Sequence, residues 1–182
     1  DPEITKTWLP VNLYFGGAEH SVLHLMYARF VTKVLFDLKL IDFDEPFPKF
    51  FAHGLMIKDG AKMSKSRGNL IFVSKLIESG VAPMAIRWAL LKRPYCKEYM
   101  WLRNETEIAQ IELDALLAKL KSASVPPTSD LITAIYDFIA DDLKSADAIA
   151  AINRWVDTDG SGGDAELLKS VIDGLLGIAL AA

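Results

Sequence analysis

Cysteine is almost missing from these 182 residues: Cys96 stands alone. A single thiol excludes an internal disulfide and a cysteine-rich metal cage, and it fits a reducing, cytoplasmic compartment. No run of about 18 uninterrupted apolar residues occurs, so no membrane span and no membrane partner are expected. The first residues are charged and polar, and no secretory signal is expected from them. The phosphate-binding pattern G-x-x-x-x-G-K-[ST] occurs nowhere. Internal repeats and low-complexity tracts are absent as well. Histidine is limited to His20, His24 and His53. His20 and His24 have the four-residue spacing of helical metal ligands, but Ala28 stands at the next turn, so no metal site is expected. His24 reads instead as a packed or hydrogen-bonded core histidine. Asp157, Asp159, Ser161 and Gly162 begin like a calcium loop, but Leu168 stands where the closing Glu belongs. That stretch reads as a flexible turn, with Asp164 capping the helix that follows.

What is present is apolar material and an uneven charge. The chain is 51% hydrophobic, enough for one sizeable core or for a domain with a small appendage. The net charge of −4 conceals an asymmetry. Residues 1–100 hold 14 Lys and Arg against 10 Asp and Glu, whereas residues 101–182 hold 6 against 14. If the protein meets a polyanion, the first half is expected to make the contact, and the acidic second half is a poor candidate for a generic nucleic-acid surface.

Periodicity supplies the elements. "NLYFGG" reads as a short buried strand ending in two glycines. "AEHSVLHLMYARFVTKVLFDLKL" has apolar residues at Val22, Leu23, Met26, Phe30, Val31, Val34, Leu35 and Leu38, which predicts one long helix with one buried face. "FFAHGLMI" reads as a second buried strand, and "KDGAKMSKSRGN" after it as irregular. "VAPMAIRWALLK" is a helix with Pro83 in its first turn. Asn104 and Glu107 resemble a capping box opening a helix to about Ser122. "SVPPTSD" is a linker, followed by helical patterns over roughly 130–143, 146–157 and 165–180. The expected fold class is α/β to about residue 100 and all-α after it, with domains 1–100 and 101–182.

One segment stands out chemically. In "GLMIKDGAKMSKSRGNLIF" the cations Lys58, Lys62, Lys65 and Arg67 surround one acid, Asp59, with Ser64 and Ser66 among them. Flexible backbone, N–H donors and mobile cations suit a phosphate. A solvated basic turn has the same composition.

The order of the letters separates the two. "KMSKS" after an apolar run closely resembles the signature loop of class I aminoacyl-tRNA synthetases, which closes over the triphosphate of ATP. The resemblance implies that role for Lys62 and Lys65, aided by Ser64 and Ser66, with Asn69 holding the loop's shape. It places Gly54, Leu55 and Met56 at the adenine edge. "WLPVNLYFGGAEHSVLHLMYARF" is similar to the leucyl branch, whose matching segment binds adenosine. That similarity implies Glu19 at the ribose, with Gly16, Gly17 and His20 beside it. A Gly-rich strand-to-helix turn followed by an acid suits a ribose diol, although such an acid is also a plain partner of the helix dipole. The leucyl similarity covers about residues 5–69. From residue 70 to about 180 the text is more like cysteinyl-tRNA synthetase and the cysteine ligase of mycothiol biosynthesis.

These resemblances imply the second half of a Rossmann-type catalytic fold followed by a helical bundle. They imply ATP with Mg2+, an amino acid (leucine first) and tRNA as partners. The His-x-Gly-His motif of the first half does not occur: His53-Gly54 is not followed by a second histidine. The sequence is therefore expected to begin within the domain and to be inactive alone, a separate chain being one source of the first half. Two alternatives stay open, a cysteine–amine ligase of the mycothiol type and a non-catalytic module retaining a nucleotide scaffold.

Overall fold

Pro2 at the first helical position and Asp1 as its cap open helix α1 (Pro2–Trp8) in the computed structural model. The structure describes residues 1–180, with the side chain of Lys65 outside the described atoms. Two compact units are present. Unit 1 comprises residues 1–55 and 95–98, and unit 2 comprises residues 56–94 and those from 99 onward. All strands precede residue 101, and only helices follow among the described residues. The α/β then all-α expectation is met at that level.

In unit 1, strand β1 (Tyr14–Gly16) leads through a 3-10 turn at Ala18–Val22 into helix α2 (His24–Asp37), which returns the chain to strand β2 (Phe50–Ala52). The strands pair in parallel, Tyr14 opposite Phe50 and Phe15 opposite Phe51. A parallel pair needs such a crossover. Strand alternation sends Tyr14 and Phe50 to one face, where Phe47, His20 and His24 join Tyr14. Phe15 and Phe51 stack on the other face at 5.4 Å between centroids, beside His53 and Tyr95.

The long helix expected from Ala18 starts only at His24, and its burial is the reverse of the expectation. Met26, Tyr27, Phe30, Val31, Val34 and Leu38 lie within one arc of about 140° on a helical wheel. They are 41–68% exposed, while Leu25 and Thr32 on the far side are buried. The periodicity is helical as read, but two short strands and one helix offer no second surface to cover so wide a stripe. Leu25 is the one large apolar side chain of unit 1 that is buried. The loop 41–49 is tied to α2 by charge: Arg29 donates twice to Glu45, at 2.8 and 2.7 Å, and Lys33 approaches it at 2.9 Å. Hydrogen bonds from Arg29 and then Lys33 hold the Glu45 carboxyl down at about 2.

In unit 2, strand β3 (Met56–Lys58) turns back into β4 (Ala61–Lys62), and β5 (Tyr99–Met100) pairs with β3 in parallel. The turn is Asp59-Gly60, both with positive φ (53° and 73°), the conformation that tight two-residue hairpins require. Two expectations need correction. "FFAHGLMI" is not one strand, since it breaks at His53–Leu55 between β2 and β3. "KDGAKMSKSRGN" is not wholly irregular, since it holds β4 and a 3-10 turn at Lys65–Arg67.

Helices α3 (Val73–Glu78), α4 (Pro83–Leu91), α5 (Glu105–Leu120), α6 (Ser129–Ala140), α7 (Ser145–Val156) and α8 (Ala165–Leu176) complete unit 2. Asn104 makes no capping hydrogen bond, so the expected capping box is not formed. Glu105 is buried instead and pairs with Arg93 at 2.8 Å. Asp164 caps α8 as expected, accepting from Leu167 N at 2.9 Å. The turn before α8, expected to be flexible, is hydrogen-bonded to the proline linker: Ser124 donates to Gly160 O, and Gly163 N donates to Val125 O.

The core lies in unit 2. Trp88, Leu116, Ile135, Ile149, Ile152, Leu168, Ile172 and Leu176 are each under 2% exposed. Arg87 on α4 donates through Nε to Leu176 O at 2.7 Å, meeting an orphan carbonyl at the end of α8. Gly177 ends that helix with φ 62°, and a Cβ there would lie 2.6 Å from Arg87 Nη2.

Two outcomes are expected. Gly177→Ala lowers the stability of unit 2 by about 1–2 kcal/mol through left-handed strain and displacement of Arg87, measured by urea unfolding followed on Trp88, Trp101 and Trp155. The Tyr99 phenol, pushed up to about 12 by burial and then by the Glu105 charge, ionises well above its usual value near 10. Its raised value favours the neutral folded form, so its contribution is complete below pH 10 and is lost as pH rises from there to about 12. Absorbance at about 295 nm, compared with Tyr99→Phe, reads that ionisation.

Candidate nucleotide site

The glycines at the end of β1 are where backbone and carboxylate come together. Gly17 is buried and caps the 3-10 turn, accepting from His20 N at 3.0 Å. The Glu19 carboxylate folds back over it: a Cβ on Gly17 would lie 2.2 Å from Glu19 Oε2. A Cβ on Gly16 would lie 2.9 Å from the Tyr14 ring. Larger residues at either position would move the groups that line this turn. The imidazole of His20 packs edge-on to Tyr14 at 6.2 Å, and its Nδ1 is buried with no hydrogen-bond partner in the structure. A buried unsatisfied ring nitrogen is costly unless a ligand or water meets it. His24 is exposed, and its Nδ1 meets the Tyr14 hydroxyl at 3.2 Å, so it is hydrogen-bonded as expected but lies outside any core.

Gly54 and Leu55 lie in the break after β2, also in unit 1. Gly54 N donates to Tyr95 O at 2.9 Å, and a Cβ on Gly54 would lie 2.0 Å from Lys97 O. Only glycine allows the backbone of segment 95–98 to come so close. That second strand of contact was not legible in the sequence, because residues 95–98 are distant along the chain and carry no motif.

Unit 2 holds Met56 on β3 and the loop that follows β4. The side chain of Asn69 fastens this loop. Its Oδ1 accepts from Ser64 N at 2.9 Å, and its Nδ2 donates to Lys62 O at 3.2 Å, with Lys58 O and Ala61 O each at 3.5 Å. One amide thus joins the end of the loop to the hairpin at its start. Ser64 and Ser66 bring their hydroxyls within 3.3 Å. Met63, passed over in the sequence because charge dominates its neighbours, packs with Met56 and Ile71 against the core. Its apolar side chain inside a cationic stretch was the available signal. Lys62, Ser66 and Arg67 are exposed. The expected phosphate contact of Lys65 lies outside the described atoms, and only its backbone, within the 3-10 turn, is described.

Among the described residues no group of three His, Cys, Asp or Glu side chains converges to hold a metal. What the two units offer is a carboxylate over a glycine turn with an unsatisfied imidazole in one, and a hydroxyl-bearing cationic loop held in shape in the other.

A class assignment follows from comparison. Residues 4–102 match the family model for class I tRNA synthetases (I, L, M and V), and the chain belongs to that family. Its relatives are of the leucine type. It is 48% identical over 101 residues to the leucine–tRNA ligase of Thermotoga maritima and 50% identical over 101 residues to that of Citrifermentans bemidjiense. Each match covers 56% of this chain and 12% of the relative. The leucine–tRNA ligase of a Nitratiruptor species is 45% identical over 105 residues, 58% of this chain and 13% of that protein. Among solved structures, the agnB2 LeuRS of Agrobacterium radiobacter, crystallised as a ternary complex with tRNA and LeuAMS, aligns with a TM-score of 0.66 and 25% identity. That alignment covers 99% of this chain and 28% of the other. The sequence matches thus span about an eighth of the length of these leucine–tRNA ligases, and the structural alignment about a quarter of the solved one.

Replacing Asn69 with Ala is expected to leave the fold intact and free the loop. Losing hydrogen bonds of about 1 kcal/mol each should speed exchange of the Ser64 amide roughly fivefold or more, measured by hydrogen exchange.

Proposed function

We propose that this chain is the nucleotide-handling part of an aminoacyl-tRNA ligase that uses leucine. Residues 1–100 form the C-terminal half of a Rossmann-type catalytic domain, and residues 101–182 a helical bundle. The single observation that carries the reading is the KMSKS loop set by Asn69, in a chain of demonstrated class I family.

Within that reading, ATP is the substrate whose α-phosphorus the leucine carboxylate attacks, pyrophosphate leaves, and the acyl group passes to tRNA. Glu19 accepts hydrogen bonds from the ribose hydroxyls, and Gly16 and Gly17 let the sugar approach. His20 supplies its unsatisfied nitrogen beside them. Backbone groups of Gly54, Leu55 and Met56 meet the adenine edge. Lys62 and Lys65 stabilise the charge that builds on the leaving pyrophosphate, with Ser64 and Ser66 as hydroxyl donors. Mg2+ would enter with ATP and offset the charge of its phosphates. The work of these residues is positioning and charge stabilisation, with no protein nucleophile.

Lys65→Ala in the full-length enzyme is expected to lower the leucine activation rate by about 10²–10³-fold, the scale of one lost transition-state donor. ATP ground-state affinity should change far less. Pyrophosphate exchange and equilibrium ATP binding measure the two, and equal losses would argue against the loop's role. Exchange driven by cysteine instead of leucine would move the substrate to the other branch.

A further inference from the structure

Unit 2 holds a polar cluster that the site chemistry leaves unused. Glu105, the first residue of α5, has its side chain 4% exposed and accepts from Arg93 Nη2 at 2.8 Å. The same guanidinium lies over the Tyr99 ring, 5.7 Å from its centroid. Burial and then the Glu105 charge raise the Tyr99 phenol, so the three side chains interact pairwise. They come from the segment just after α4, from β5 and from α5. Stability alone does not account for such a cluster. Arg93 Nε and the Tyr99 hydroxyl are buried with no hydrogen-bond partner in the structure, and a buried donor left unmade is costly. A buried ion pair also gains little over apolar side chains of similar volume. What the cluster supplies is direction: a planar guanidinium bonded to one carboxylate and laid on one ring has few alternative placements.

The element it fixes is the footing of the KMSKS loop. Tyr99 is the registered partner of Met56 in the parallel pair of β3 and β5. Met56 O in turn accepts from Met63 N at 3.3 Å, and Met63 is the second residue of KMSKS. Met56, Met63 and Tyr99 pack against the same core. The route from Glu105 to the loop thus runs through Arg93, Tyr99, Met56 and Met63, all within unit 2. We propose that Glu105, acting through Arg93 and the Tyr99 ring, is a positioning residue for the loop: it holds β5, and with it β3, where Met63–Ser66 can reach the leaving phosphates. Glu105 itself touches no substrate. This rests on the reading of the loop as the pyrophosphate site. A misplacement of about 1 Å can cost on the order of 10²-fold in rate. Ground-state binding, which does not use the transition-state contact, is spared.

The test uses the full-length enzyme, with circular dichroism confirming that each variant folds. Glu105→Gln keeps the shape and removes the charge. It is expected to lower the rate of leucine-dependent pyrophosphate exchange about tenfold. Equilibrium ATP affinity should change by less than about twofold. The Met63 and Ser64 amides should exchange about fivefold faster. Arg93→Met with Glu105→Leu removes both charges together, so neither is left buried alone. This pair is expected to recover the parent's urea midpoint yet to stay about tenfold slow. Tyr99→Phe loses only a hydroxyl without a partner and should keep the parent rate within about twofold. A purely structural cluster would let the apolar pair recover rate along with stability. That result overturns the proposal, as does a parental rate in folded Glu105→Gln. If Glu105→Gln does not fold, the apolar pair decides by itself. Lys65→Ala is measured beside them, and a parental rate there counts against the loop's role in catalysis. In that case amide exchange decides the positioning: faster Met63 and Ser64 exchange in Glu105→Gln supports it, and unchanged exchange overturns it.

Discussion

Burial of Trp88 is the constraint on which the loop's position depends. Its indole is fully buried, and its Nε1 donates to Glu112 at 2.7 Å across to α5. The same carboxylate receives Lys92. α4 and α5 are thereby fixed against each other at both an apolar and a charged contact. From there the order is passed on by backbone: Trp101 N donates to Ile57 O at 2.8 Å, β5 pairs with β3, and β3 turns through Asp59-Gly60 into β4. Asn69 then ties the end of the loop to that hairpin. Each step gives a backbone or side-chain polar group a partner.

The two units are stabilised in unlike ways. Unit 2 has an interdigitated apolar core across five helices. Unit 1 has a parallel strand pair, two aromatic clusters on its faces, and an exposed ion-pair network between α2 and the loop 41–49. Such exposed pairs contribute little and are screened by salt. The apolar stripe on α2 is large compared with what a lone soluble helix leaves uncovered. This division also separates the site chemistry. The carboxylate and unsatisfied imidazole sit on the weakly packed unit, and the cationic loop sits on the strongly packed one.

The match over residues 4–102 and the leucine-type relatives agree with the text around Gly16, Gly17 and Glu19 and with the loop. The solved leucine-type structure follows the chain through its helices too, covering 99% of it.

Local signals carried far in the sequence. Pro83 at a helix start and Asp164 before α8 each have a local physical meaning, and each sits in the structure where it was read. The charge asymmetry was likewise complete in the sequence, since counting needs no fold. Tertiary structure alone decided which apolar faces are covered. A helical period identifies a stripe but not its partner, so the face of α2 marked by Met26, Phe30 and Val34 proved exposed. It also decided that "FFAHGLMI" must break at Gly54, because segment 95–98 approaches there, and that Glu105 would be buried with Arg93 rather than sit beside a capping Asn104. These depend on contacts between residues far apart in the chain, which no local pattern encodes.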